Sequence, residues 1–538
     1  MRERAASTGR PALSGPALSA ALLVAAILAV ASWPLLLYPR GLGLGQAEGD
    51  QGVLAWGLWR VSRLQLSPTL TGLRFPEGGS LLLADLPESL VLAPVTRLAG
   101  PLAAFTLWQA LHPVLAAAAA AALARSRGAG RAGALVAGLA LGLSPVMLCS
   151  LHNGNPEVTP LYLVPLAALL AGRLDRGPSA GLGLGLVLGL AAWCNPYVAL
   201  MAGLASAVAL PRGSRPVALG LAAVLGLALG GAWLLLARHS MAGPDTLLNK
   251  ELAGASAPGS AGLLGLAWPL LSTSQTGGDA HMAYLGLVLL GLAGAGTLWA
   301  LRRGAARDRS EALRWSGLAL VGAVLALGPA LHLRPPHAPG ELGLLPLPWA
   351  LAAHLPGMAG MYLVFRFAAL GSLGLSLLAG RAVDRLPRAA RVLAVAAVAA
   401  DLLLLAPGAR WLQAQPLPST PSCALLAPLP PGPVIDLPGR IDGSYLLAQT
   451  CHDRPVASGI HQAFGNDVRR DLQQPAPLVL DALGRRGFAY LVLHRDLEGE
   501  RQGALPALER RARREGRVVA ESGELLVVDL SPVAGSAR

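Results

Sequence analysis

From Ala17 to about Pro407 the chain is a succession of apolar runs separated by short gaps that carry arginine. Several runs approach or exceed the ~18 residues that cross the hydrocarbon core of a bilayer. Hydropathy predicts roughly eleven spans of about 15–24 residues. They lie near 17–38, 101–124, 133–150, 158–172, 179–193, 196–211, 216–237, 282–301, 314–332, 361–380 and 389–407. The run Ala17–Leu37 is longer than the ~7–15 residues of a secretory signal core, and PLLLYP at Pro34–Pro39 offers no small-residue cleavage site. It is therefore expected to be a retained first helix entering from the cytoplasm.

Arginine positions orient the spans. Arg2, Arg4 and Arg10 put the N-terminus inside, and alternate gaps then carry Arg125, Arg127 and Arg131, Arg173 and Arg176, Arg212 and Arg215, Arg302 to Arg309, and Arg381, Arg385 and Arg388. That arrangement leaves the loops 39–100, 238–281 and 333–360 outside the cytoplasm, with everything after about Pro407. Beyond that point the pattern changes. The proline-dense stretch QPLPSTPSCALLAPLPPGP resists both helix and sheet. Past it, the β-rich runs PVIDLP, PVASGI, FAYLVLH and LLVVDL alternate with polar helical stretches such as Ala504–Glu515. The expected fold is a polytopic α-helical membrane protein with a small C-terminal α/β soluble domain. Its parts are a transmembrane domain over 1–410, a Pro-rich linker over 411–430 and an extracytoplasmic α/β domain over 431–538.

Composition agrees. Of 538 residues 54% are hydrophobic and only 14% charged, and the mean hydropathy is +0.53, well away from soluble domains. The net charge of +13 lies in the membrane part, since acids and bases cancel from Trp411 onward. No basic stripe with interleaved aromatics accompanies it, which excludes a nucleic-acid partner. Cys423 and Cys451 form either a disulfide or two free thiols, and Cys149 and Cys194 fall at outer helix ends without metal-type spacing.

Four polar groups interrupt the apolar pattern on the outer side. Glu48 and Asp50, in GQAEGDQGVLAWGLWR, are either plain interfacial acids or a base and metal-holding pair facing a lipid-borne substrate. Asp85 and Glu88, in LLLADLPESLVLAP, are three apart, so a helix starting near Pro87 either caps on Asp85 or gathers both acids at one end. His152, Asn153, Asn155 and Glu157 crowd the hairpin SLHNGNPEVTPLYLVPL, where Gly154 and Asn155-Pro156 would make the turn in any case. Arg366, in GMYLVFRFAAL, stands within apolar sequence, placed to grip a lipid phosphate or to snorkel to headgroups. The span centres look almost free of charge, which speaks against an ion-coupled transporter.

Four stretches in order resemble bacterial polytopic membrane proteins related to GT-C glycosyltransferases, in their branch with a C-terminal soluble periplasmic domain. They are GDQGVLAWGLWRV with LRFPEGGSLLLAD, LALGLSPVMLCSLHNGNPEVTPLYLVPLAALL, LALGPALHL with LPLPWALAAHLPGMAGMYLVFRFAALGSL, and VIDLP with SYLLAQTCHDRPVASGI and GFAYLVLHRD. Together they span roughly residues 20–530. The sequence departs from the group at NGNPEVTP, and reads Glu48-Gly49-Asp50 where many members present adjacent carboxylates.

The resemblance implies transfer of a sugar from a polyprenyl-phosphate carrier to an acceptor at the outer face of a bacterial inner membrane. It puts Asp50, with Glu48, in the role of catalytic base or metal-positioning group, His152 at the matching histidine and Arg366 at the matching arginine. Asp85, Glu88, Asn155 and Glu157 join these two as expected substrate contacts. A leaving phosphate needs its charge neutralised, by Arg366 or by bound Mg2+ or Mn2+ near Asp50. The alternative is a non-catalytic membrane protein that binds, or helps to move, a glycolipid or polysaccharide precursor. A third reading makes the bundle a mere anchor for a C-terminal interaction module.

Overall fold

The computed structural model describes residues 15–38, 42–44, 51–67, 69–80, 85–152, 154, 156–241, 259–271, 283–336, 341, 343–355, 358, 361, 363–405, 414–416, 421–440, 443–460 and 464–531. Helix α1 (Gly15–Ala31) and the short α2 (Trp33–Leu37) lead to a first loop that has structure of its own. It contains β1 (Leu42–Leu44), α3 (Gln51–Ser62), a hairpin of β2 (Thr69–Leu70) and β3 (Gly79–Ser80), and α4 (Leu86–Ala99). A run of apolar helices follows: α5 (Pro101–Ser126), α6 (Arg131–Gly142), α7 (Pro145–His152), α8 (Leu163–Ala171), α9 (Pro178–Cys194), α10 (Pro196–Ala209) and α11 (Pro216–Met241). After α12 (Leu263–Ala267) come α13 (Leu287–Arg303), α14 (Ala306–Ala326), α15 (Trp349–Ala352), α16 (Ala368–Val383) and α17 (Arg388–Ala400).

By length and composition, four described helical stretches are long and apolar enough to cross a membrane: Pro101–Ser126, Arg131–His152, Pro216–Leu236 and Val364–Val383. Shorter apolar helices lie at Gly15–Ala31, Pro178–Cys194 and Pro196–Ala209. The chain is a membrane protein. Burial separates the long stretches: 94% of the apolar window of Arg131–His152 is inside the bundle, against 6% for Pro216–Leu236. Helix α11 therefore presents Val217, Val224, Leu227 and Leu235 outward, as a helix in contact with lipid does. It is held along one seam, where Gly181, Gly185 and Gly189 of α9 face Ala218, Ala222, Leu225 and Leu229 so closely that a side chain on any of the three would collide.

Two acids in this part of the chain, one inside an expected span and one in the gap before it, are tied to helix ends. Asp401, inside the last expected span, is buried and accepts the Tyr284 hydroxyl at 2.5 Å and the Val288 N–H at 2.8 Å. It caps the start of α13 from a different helix. Asp384 does the same for α6, accepting the N–H groups of Gly130 and Gly133. Each acid answers donors that a helix end leaves unsatisfied, and only the fold brings the two together.

The proline-dense linker is more ordered than its composition suggests. It forms β4 (Ala414–Pro416) and α18 (Ser422–Leu426). Strand β4 pairs antiparallel with β1, Leu42 opposite Pro416, so its partner comes from the far end of the chain. Helix α18 occupies the proline-free run of the linker.

The C-terminal region then gives β5 (Val434–Leu437), α19 (Ser444–His452), α20 (Asn466–Leu472), α21 (Ala476–Arg485), β6 (Tyr490–His494), α22 (Leu505–Arg514), β7 (Val518–Glu521) and β8 (Leu525–Asp529). Its sheet has the order β5-β6-β8-β7, with β5 parallel to β6 and the other pairs antiparallel. Strands β5 and β6 are buried along their whole length, and β8 along all but its last residue, because both sheet faces are covered. Cys423 and Cys451 are joined in a disulfide that ties α18 to α19, Cα atoms 6.0 Å apart.

This region grips the first loop. The Trp56 indole donates to Gln449 Oε1 at 2.7 Å, and Gln449 Nε2 donates to the Gly72 carbonyl at 3.0 Å. Backbone bonds run from Val456 to Gly72, from Phe75 to Val456 and from Arg74 to Ser458.

Candidate functional site

Glu48, Asp50 and Asn155 lie outside the described residues, as does the side chain of Glu157. Gln51, which follows Asp50 in the chain, is buried at the head of α3 and donates from Nε2 to the Leu44 carbonyl at 3.1 Å. It packs against the turn after His152: a Cβ on Gly154, whose φ is +70°, would stand 2.7 Å from Gln51 Cγ. The turn that follows His152, itself half-buried at the end of α7, therefore meets the start of α3.

Asp85 and Glu88 are brought together at the head of α4, with Pro87 in its first turn. Asp85 stands at the N-cap position but its side chain makes no capping bond. Its backbone takes the left-handed conformation, φ 56°, which aspartate tolerates better than most residues. The Asp85 N–H donates to the Trp193 carbonyl at 3.1 Å, and the side chain is fully buried. Glu88 is gripped by three donors: Trp108 Nε1 at 2.5 Å and His112 Nε2 at 2.9 Å on Oε2, and the Tyr162 hydroxyl at 2.7 Å on Oε1. Burial pushes this carboxyl up, but the His112 charge and the bonds from His112, Trp108 and Tyr162 outweigh it, leaving the group below its ordinary value.

The network continues through His112. Its Nδ1 meets Thr159 Oγ1, whose hydroxyl donates to the Pro156 carbonyl at 2.7 Å. The Thr159 hydroxyl and the Glu88 carboxylate thus flank the two ring nitrogens of His112. Gln109, one turn earlier on α5, donates to the Leu151 carbonyl at 3.2 Å, next to His152. One face of α5 therefore links the acidic pair to the His152 turn.

Cys194 ends α9, and its sulfur and the carboxylates of Asp85 and Glu88 offer ligand atoms within 4.8 Å of one another. The two carboxylates fit a hard divalent cation such as Mg2+ or Mn2+. The thiol fits a softer ion better, and both Glu88 oxygens are already engaged.

Arg366 sits in the 3-10 turn Val364–Phe367, only 8% exposed. Its guanidinium lies 5.2 Å from the centre of the Tyr197 ring. Its Nε has no hydrogen-bond partner among the described residues. Asn195 caps α10 by accepting the Tyr197 N–H at 3.0 Å, and the Tyr197 hydroxyl accepts the Leu363 N–H at 2.7 Å. The corner 193–197 between α9 and α10 therefore carries Cys194 and touches Asp85 at one end, and supports Arg366 at the other.

Sequence reading missed Trp108, His112, Thr159 and Tyr162, and gave Cys194 no part in the acidic cluster. One signal was available: Trp108, Gln109 and His112 interrupt the apolar run of α5, and an ionisable residue inside a span marks a site by default.

A family model, the domain of unknown function DUF6311, matches residues 20–356. No curated protein matches the chain. Among solved structures, it is similar to the Archaeoglobus fulgidus oligosaccharyltransferase in the apo form, with 13% identity over 91% of this chain and 71% of that chain, TM-score 0.54. It is similar to oligosaccharyltransferase AglB from Archaeoglobus fulgidus in complex with an inhibitory peptide and a dolichol-phosphate, with 12% identity over 95% of this chain and 74% of that chain, TM-score 0.51. ArnT from Cupriavidus metallidurans in the apo state shares 15% identity over 96% of this chain and 98% of that chain, TM-score 0.51. At these identities the likeness is one of fold, the GT-C architecture of a helical membrane domain followed by a smaller mixed domain. The family match takes in more than half of the chain, which belongs to the DUF6311 family.

Proposed function

We propose that the protein is a membrane glycosyltransferase that moves a sugar from a polyprenyl-phosphate donor to an acceptor at the extracytoplasmic face. The observation that carries this reading is the buried acidic pair Asp85 and Glu88, set in a polar network on a fold shared with an oligosaccharyltransferase that was solved with dolichol-phosphate. In this reading Asp50, with Glu48 beside it, deprotonates or orients the acceptor hydroxyl. Asp85, Glu88, His152, Asn155 and Glu157 contact substrate. Arg366, buried with an unsatisfied Nε, neutralises the leaving polyprenyl phosphate. A divalent cation, Mg2+ or Mn2+, held by Asp50 and the acidic pair would supply further charge neutralisation there.

The arrangement proposed with it is about eleven spans, a cytoplasmic N-terminus and a bacterial inner-membrane location. The domain division is at 410 and 430, with the α/β domain outside the cytoplasm. The disulfide between Cys423 and Cys451 supports that side, because such bonds persist in oxidising compartments. One observation favours the alternative of a non-catalytic glycolipid-binding protein: Glu88 already has its two oxygens occupied by protein donors.

Asp50→Asn in a deletion strain separates the two readings. Transfer predicts that one envelope sugar disappears at normal protein abundance. Full restoration of that sugar by the Asn variant would overturn the catalytic assignment.

A further inference from the structure

Helix α19 links the C-terminal domain to the surroundings of the acidic pair. Leu446 and Leu447, adjacent on α19, enter two different apolar clusters, and both side chains are essentially inaccessible. Leu446 joins Val53, Trp56 and Trp59 of α3. Leu447 joins Leu58 of α3, Leu92 of α4, and Phe105 and Trp108 of α5. Trp108 is the residue whose indole donates to Glu88. The same helix is fixed at three further points. Gln449, 3% exposed, accepts from Trp56 and donates to the Gly72 and Arg454 carbonyls. Gly443 at its head sits so close to Gly52 that a Cβ on Gly52 would stand 2.5 Å from the Gly443 oxygen. Cys451 near its end is bonded to Cys423.

We propose that α19 is a positioning element of the acidic site: Leu447 acts through Trp108 on Glu88, and Gln449 and the Cys423–Cys451 bond hold the helix in place. The geometry makes the wedge specific. Leu447 shares one buried cluster with residues of α3, α4 and α5, and two of these helices carry Glu88 and its Trp108 and His112 donors. Removing the leucine side chain leaves a void between them, and close-packed interiors answer a void of that size with partial collapse or increased opening. As a contribution to catalysis this rests on the transferase reading, but the packing argument does not, so the test uses a readout without sugar.

Cys194 is that readout. It is buried beside Asp85 and Glu88, and Cys149 is the other free thiol. In the full-length Cys149→Ser protein in lipid nanodiscs, N-ethylmaleimide labelling of Cys194, followed by mass spectrometry, reports how often the site opens. Leu447→Ala should label at least about tenfold faster than the parent, as expected when a buried leucine is truncated. Leu447→Met, which conserves volume, should label like the parent. Leu508→Ala, a similar truncation in the core of the C-terminal sheet, should lower global stability and leave Cys194 labelling unchanged. Where Leu447→Ala yields no folded protein, Cys423→Ser/Cys451→Ser loosens α19 without a core deletion and should also speed labelling. Equal acceleration by Leu447→Ala and Leu508→Ala would reduce the effect to general destabilisation and overturn the proposal. So would unchanged labelling in Leu447→Ala, or in the double serine variant where it stands in. Loss of sugar transfer plays no part in this outcome, so the two readings fail separately.

Discussion

Replacing Glu88 by glutamine keeps the shape of the side chain and removes its charge. The carboxylate accepts from Trp108, His112 and Tyr162 at 2.5, 2.9 and 2.7 Å. In the glutamine variant the amide oxygen takes over Trp108 and His112, while the Tyr162 hydroxyl turns to accept from the amide nitrogen. The bond count survives, but two charge-assisted bonds become neutral ones and the attraction to His112 goes. Bonds to charged groups contribute about 1.5–3 kcal/mol each, against about 1 for neutral pairs, so the expected loss is about 2–3 kcal/mol. Glu88→Ala strands all three donors in a buried place and should cost about twice as much.

The sign with pH follows from the lowered Glu88 value. Folding favours the charged form, so the contribution is fully present above the unfolded carboxyl pKa of about 4.3. It is lost as pH falls through the lower folded value. SDS-induced unfolding in mixed micelles, run from pH 7 down to pH 3, measures both effects. The gap between wild type and Glu88→Gln should be flat at neutral pH and close below about pH 4. A Glu88→Gln protein as stable as wild type at pH 7, or a gap that persists unchanged to pH 3, would refute the account of this network.

Gly52→Ala should drive its Cβ into the Gly443 backbone and cost about 1–3 kcal/mol by the same unfolding assay, with earlier proteolytic cleavage of the first loop. Asp384→Ala strands the N–H groups of Gly130 and Gly133 and should cost about 1–2 kcal/mol; Asp384→Asn, which keeps an acceptor, should cost less. Cys423→Ser opens a link across 28 residues and should cost about 3.5 kcal/mol. Reducing agent should destabilise wild type to the same level and leave the variant unchanged.

Hydropathy located the apolar runs because the cost of burying a polar backbone in lipid is paid locally, within each helix. The strands VIDL, YLVLH and LLVVD announced a sheet for a similar reason, since each is covered on both faces. Asp85 and Glu88 could be paired from their spacing alone. Their donors could not, because Trp108, His112, Thr159 and Tyr162 come from other elements and no local pattern joins them. Asp384 and Asp401 were equally opaque: each caps a helix more than a hundred residues away, with sequence separations of 251 and 113. Strand β4 escaped notice in a proline-dense stretch because its ladder partner, β1, lies at the opposite end of the chain.

The pairing of β1 with β4, and of Trp56 with Gln449 across 393 positions, has a bearing on how the protein is made. A ribosome delivers the first loop long before the helix that completes it. During synthesis Trp56, Gly72 and Leu44 must wait, unpartnered, while the intervening bundle is inserted. Closing such distant contacts is slow, and apolar surface exposed meanwhile invites misassembly. Completion of the first loop is thereby deferred until β4 and α19 have been made, after the whole intervening bundle.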